Sequence, residues 1–197
     1  MDDQDFLTGQ VLIATPNMGD PRFDRAVVLM CAHESTHAMG LIVNKRLDKA
    51  DFGDVLEQLD LVDDAADAPG PVFFGGPVRR DRGLVVHTRD YESEQTLAVT
   101  PTVGVTGTKD ILAAIASGAA SAPKRYLLAM GHAGWGDGQL EQEIAMNAWA
   151  HGPATDDLIF NGGEEDAWSR ALEAIGVTAA MFSPEWSSPR DLDTPLN

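Results

Sequence analysis

The sequence predicts a mixed α/β fold of the α+β type, built as one domain. Three observations carry this prediction. The length of 197 residues suits a single core, and a chain of this size buries roughly 70–75% of its unfolded surface. Short apolar, β-branched runs alternate with turn residues through the first half of the chain. Four further segments repeat apolar residues at helical spacing.

Taken in order, residues 11–14 form a strand that Thr15-Pro16-Asn17 ends. The run 26–32 is apolar, β-branched and short for a helix, and 39–44 is similar. Runs without polar alternation suit strands covered on both faces. Residues 33–38 between them read as a polar connection of hairpin length. Phe52, Val55, Leu56 and Leu59 place a short helix over 51–61. The acidic segment 63–71 reads as a surface loop. Strands follow at 72–74, which runs into Gly75-Gly76-Pro77, and at 84–87. After a polar loop at 91–95, residues 97–99 and 103–106 make a strand pair around Pro101.

Thr108 is positioned as an N-cap, with Asp110 in the first turn and Ile111, Leu112 and Ile115 as the buried stripe. Gly118 stops that helix. Residues 126–130 form a buried strand leading into a glycine-rich loop around Trp135. A helix over 139–146, a strand near 148–151 and an extended piece at 157–160 come next. The last helix, 164–175, sets Trp168, Leu172 and Ile175 on one face, has acids in its first turn and stops at Gly176. Residues 183–197, with three prolines and little periodicity, read as a mobile tail, so the domain spans 1–182.

Composition narrows the function. Fourteen Lys plus Arg stand against 31 Asp plus Glu, a formal charge of −17. Such a surface repels phosphate backbones and argues against direct nucleic-acid binding. Arg79, Arg80, Arg82 and Arg89 are the local exception. The single cysteine, Cys31, rules out an intrachain disulfide and lies in an apolar run, where it packs as a small hydrophobe. The first residues, MDDQDF, lack the basic flank and apolar stretch of a signal peptide. No apolar run approaches the ~20 residues of a membrane span. The expected compartment is the cytoplasm.

One segment imitates a metal site. His33-Glu34-Ser35-Thr36-His37 matches H-E-x-x-H, which works when a helix brings i and i+4 histidines to one face beside a glutamate base. Extension to the longer metal motif fails at Val43, although Glu57 is a conceivable substitute ligand. Both flanks prefer strand, and Ser35-Thr36 favours a turn. The expectation is therefore no metal and no cofactor, with His33 hydrogen-bonded at a strand end and His37 solvated. No G-x-S-x-G elbow or phosphate loop is present. Residues 104–109 are a strand end followed by a helix cap. Gly75-Gly76 offers backbone amides to an anion or, alternatively, a tight turn where only glycine fits.

Several segments together resemble the YqgE/AlgH family of bacterial proteins. They are Phe6-Leu7 with residues 11–16 and 20–23, the strand ending Cys31-Ala32-His33, MGLIVNK at 39–45 and FGGPV at 74–78. RGLVVHT at 82–88, GWGDGQLEQEI at 134–144 and NAWAHGPA at 147–154 complete the set, so the likeness runs from about residue 6 to 182. His132 and His151-Gly152 depart from the family pattern, and His37 falls in its variable hairpin loop. The resemblance implies a bent, bifurcated mixed sheet closing into a pseudo-barrel, with about four helices outside. It implies no catalytic activity. Members are often labelled transcriptional regulators, yet this chain shows no helix-turn-helix signature.

The expected function is binding to a protein or small-molecule partner, with any regulatory effect indirect. Carried over from the family motifs, the candidate surface comprises His33, Asn44, Gly75, Gly76, His87, Trp135, Gln139, Glu143 and Trp149. Asn44 and Gln139 would supply directional hydrogen bonds, and the histidines would sense protons or hold an anion. Two alternatives stand beside it. One is an enzyme using His33 or His87 as general base with Glu143 as acid or orienter. The other is a zinc hydrolase using His33 and His37.

Overall fold

The computed structural model describes residues 6–61, 70–161, 166–178 and 181. The expected tail at 183–197, most of the 63–71 loop and the start of the last helix lie outside them. Ten strands are present among the described residues: β1 (Gln10–Ala14), β2 (Val27–Glu34), β3 (His37–Ile42), β4 (Arg46–Asp51), β5 (Pro71–Phe74), β6 (Val78–Thr88), β7 (Leu97–Ala98), β8 (Val103–Thr106), β9 (Tyr126–Trp135) and β10 (Trp149–Pro153). Among the described residues there are five α-helices, one more than expected: α1 (Phe52–Gln58), α2 (Lys109–Ala116), α3 (Gln139–Ala145), α4 (Asp156–Phe160) and α5 (Ala167–Ala174). None is long and apolar enough to cross a membrane.

The strands form one curled, half-barrel sheet in the order β10-β1-β2-β3-β9-β6-β8-β7. It branches at β9. On one edge of β9, Leu128–Met130 pair in parallel with β5, and Ala133–Trp135 pair antiparallel with β3. The opposite edge pairs with β6. The sheet is therefore bent, bifurcated and mixed, as the resemblance implies.

Alternating side chains of β1, β2 and β3 enter two different cores. Val11, Ile13, Val27, Leu29, Cys31 and Leu41 pack with Ile159, Ala171 and Leu172 of α4 and α5. Leu12, Ala14, Val28, Met30 and Ile42 pack with Leu140, Trp135 and Trp149 on the other face. This explains the absence of polar alternation in these strands, since both faces are covered. A third core joins Phe52 and Leu56 of α1 and Ile111, Leu112 and Ile115 of α2 to Val72, Val85 and Leu128. Each fully buried aliphatic side chain contributes about 1.5–3 kcal/mol. Burial pushes the Cys31 thiol up to about 12, consistent with a packing role.

Five local expectations are corrected. The connection between β2 and β3 shrinks to Ser35-Thr36, because both strands extend to a tight hairpin. The segment 131–134 is not a loop: β9 continues through its glycines to Trp135. Residues 157–160 are helical, not extended, because the Thr155 hydroxyl accepts from Leu158 N–H and nucleates α4. Thr108 occupies the N-cap of α2 but makes no capping hydrogen bond. β6 starts six residues before the expected 84 and carries Arg79, Arg80 and Arg82 along its exposed first half. The strand β4, of sequence RLDKAD, has little β propensity and is held by pairing with β5.

At the branch point, glycines allow two backbones to touch. A Cβ on Gly75 would lie 2.3 Å from Gly131 O, and one on Gly76 would lie 2.1 Å from His132 C. Gly76 (φ +153°) and Gly131 (φ +73°) also hold left-handed-side backbone angles that side chains disfavour. Gly76→Ala is expected to cost at least about 3 kcal/mol by urea denaturation. Gly136→Ala, which meets nothing within 4 Å, serves as the near-neutral control.

Candidate functional site

The helix α3 starts after Gly138, which adopts φ +66° at the N-cap and turns the chain sharply from β9. Gln139 and Glu143 are four residues apart and so share one helical face. Gln139 Nε2 donates to Glu143 Oε1 at 2.9 Å, and its own Oε1 accepts from Gly136 N–H at 3.1 Å. The other oxygen of Glu143 accepts from both indoles: Trp135 Nε1–H at 2.9 Å and Trp149 Nε1–H at 2.7 Å. The two indole rings meet edge to face at 6.0 Å, and Phe23 meets Trp149 the same way at 5.5 Å. One carboxylate thus clamps the end of β9, the start of β10 and the face of α3 together.

Trp135, Gln139 and Glu143 form one wall of a cavity of about 600 Å³. Met18, Phe23, Val78 and Met146 supply most of the apolar remainder. Val78 and Met146 are exposed at 40% and 67%, which leaves apolar surface open at this site. Asp20 and Arg22 also line it and pair with each other, which holds the Asp20 carboxyl below its usual range.

The other carried-over residues sit in separate surroundings. His33 is buried, with Nδ1 accepting from Leu7 N–H at 3.0 Å. Its Nε2–H therefore donates to Glu141 Oε1 at 2.9 Å. Those two side chains line a different cavity of about 340 Å³ with Phe6, Leu7 and Ile144. His37 lies on the opposite face of the hairpin, since Glu34 pairs with His37 and His33 with Ala38. A helical H-E-x-x-H arrangement is therefore not formed. Asn44 is a brace: Oδ1 accepts from Val27 N–H at 2.8 Å and Nδ2 donates to Arg25 O at 2.8 Å. Gly75 uses its own N–H on Met130 O and its carbonyl on Ile42 N–H, so that amide is not open to an anion.

His87 is fully buried. Its Nδ1–H donates to Thr88 O at 2.9 Å, so Nε2 accepts from the Thr106 hydroxyl at 2.8 Å. Thr96 lies 2.8 Å beyond Thr106, and Tyr91 meets the imidazole edge to face. Neither His33 nor His87 bonds to Glu143, so the acid–base pairing considered from the sequence does not form. The bond that sequence reasoning missed is His33–Glu141. The spacing 139, 141, 143 on a helix could have revealed that Glu141 faces away from Glu143.

Two predictions follow from this geometry. Glu143→Ala leaves two buried indole donors unmatched and is expected to cost on the order of 3 kcal/mol, with Glu143→Gln milder. Urea denaturation and the two indole N–H resonances report it. Burial lowers the His87 pKa, opposed by the Thr88 carbonyl and by Asp90 and Glu92. Below its ordinary value of 6.5 the unfolded chain binds a proton that the folded one resists. Stability should therefore fall as pH drops below 6.5 and be fully present above it, and His87→Gln should flatten that slope.

The AlgH-like family model, DUF179, matches residues 11–180. A UPF0301 protein of Jannaschia sp. (strain CCS1) is 46% identical over 181 residues, covering 91% of this chain and 93% of the relative. Another, from Nitrobacter hamburgensis, is 47% identical over 191 residues, with coverages of 93% and 88%. The solution structure of the AlgH protein from Pseudomonas aeruginosa aligns with a TM-score of 0.73 at 32% identity, over 96% of this chain and 97% of that one. A crystal structure of a Corynebacterium diphtheriae protein shares the fold, with a TM-score of 0.69 at 24% identity and coverages of 88% and 89%. Fold, sequence and family model agree along nearly the same residues, and the chain belongs to the AlgH-like (UPF0301) family.

Proposed function

We propose that the protein works in the cytoplasm by binding rather than by catalysis, and that any influence on transcription is indirect. The cavity beside Trp135 receives the apolar part of a protein or small-molecule partner. One observation carries this reading: Glu143 spends both oxygens on Trp135, Trp149 and Gln139. Its acceptor capacity builds a rigid wall, and a rigid, mostly apolar cavity of about 600 Å³ suits recognition. The charge of −17 supports an indirect route, because it opposes contact with a phosphate backbone.

The test is an NMR titration of ¹⁵N-labelled protein with small aromatic and aliphatic fragments. Binding should move the Trp135 and Trp149 indole N–H resonances in a saturable way. Met146→Glu, placed at the exposed rim, should abolish those shifts while changing stability by no more than about 0.5 kcal/mol. Fragments that bind but leave both indoles unmoved would overturn the proposal.

A further inference from the structure

A third cavity, of about 310 Å³, lies between β6 and the start of α2, apart from the tryptophan wall. Arg79, Arg82 and Lys109 line it, in a chain whose acids outnumber its bases by 31 to 14. Asp81 is the acid in the lining, and it pairs with Arg79 at 3.4 Å. Among the described residues, Arg82 and Lys109 have no hydrogen-bond or ion-pair partner. The neighbouring arginines are engaged elsewhere: Arg80 lies over the Phe74 ring, and Arg89 pairs with Glu92. Two unpaired cations facing one concavity focus positive potential there, against the sign of the whole molecule. Burial, with Arg82 and Arg79 on the neighbouring β6, holds the imidazole of His132 on β9 below the usual range.

The polar groups at the cavity converge. Thr108 also lines it, and the Thr108 hydroxyl is buried without a hydrogen-bond partner. A buried hydroxyl left unmatched is costly unless something in the cavity satisfies it. The Arg82 guanidinium comes within 3.4 Å of where a Gly107 Cβ would stand, so the cation sits over the turn that opens α2. The first N–H groups of that helix are uncapped by a side chain. The lining also carries the apolar side chains of Val55, Leu59, Val85 and Leu112.

We propose that this cavity is a binding site for a small phosphate monoester carrying an apolar substituent. The phosphate oxygens accept from Arg82, Lys109 and the Thr108 hydroxyl, and the substituent lies against Val85 and Leu112. Guanidinium forks match tetrahedral oxyanions in geometry as well as charge. The volume sits at the lower limit of small-molecule pockets, which excludes a large ligand.

Phenyl phosphate is the probe, titrated into the full chain at low salt, with amide shifts of Gly107, Thr108 and Lys109 as readout. Saturable shifts are expected, with inorganic phosphate binding more weakly because it lacks the apolar contact. Phenol should bind far more weakly still. Arg82→Gln and Lys109→Gln change exposed side chains, so the fold should persist. Each should weaken binding about tenfold, equivalent to ~1.4 kcal/mol. Thr108→Val should weaken it further without altering the net charge. Binding unchanged in the Arg82→Gln/Lys109→Gln double variant, phenol binding as tightly as phenyl phosphate, or no saturable shift would each overturn the proposal. Met146→Glu must leave this binding intact, which separates it from the tryptophan cavity.

Discussion

The close approach of Gly75 and Gly76 to Gly131 and His132 is the constraint on which the architecture rests. Two backbones come nearer there than any side chain permits. That approach lets β9 exchange one neighbour for another along the same edge, from β5 to β3. Without it the sheet would have to end or run flat. With it the sheet folds around its three cores and leaves α1 and α2 on one branch and α3 on the other.

The glycine passage also decides where chemistry-bearing side chains end up. Because β9 continues through residues 131–134, it delivers Trp135 to the tip of β3 and beside α3. Trp149 arrives from β10 on the far side of β1. Glu143 then holds indoles that approach from opposite directions. A partly buried polar cluster is stable when its members satisfy one another, and here Glu143 accepts from both buried indoles and from the exposed Gln139. The cost of desolvating Glu143 is offset by three donors. Such a cluster gives shape to a cavity.

The same logic holds the histidines in place. His33 and His87 each have both ring nitrogens engaged, which fixes a tautomer and orients the ring. Arg82, Lys109 and the Thr108 hydroxyl stand in contrast, gathered at one concavity with no bonding partner among the described residues. In a strongly acidic chain, local positive charge stands out against its background, and it lies on the exposed stretch of β6.

Much of the architecture is legible in the residues. Unalternating runs at 26–32 and 39–44 mark strands buried on both faces, and the stripe Ile111, Leu112, Ile115 marks the face that α2 buries. The flanks of Ser35-Thr36 already exclude a helical metal motif. Other features are hidden because their cause is distant. β4 is a strand only through β5, and the glycines after Met130 look like a loop until β6 and β3 pair with them. Trp135, Gln139, Glu143 and Trp149 meet through hydrogen bonds, since α3 and its flanks are contiguous in the chain. Motif order placed His33, Asn44 and His87 with them, whereas their partners, Glu141, Val27 and Thr106, come from pairings that no local pattern encodes. The sequence by itself determined most of the elements and their buried faces, because these depend on periodicity and nearest neighbours. Only the tertiary structure decided which polar groups are satisfied and which face a cavity unpaired, because that depends on side chains far apart along the chain meeting at one place.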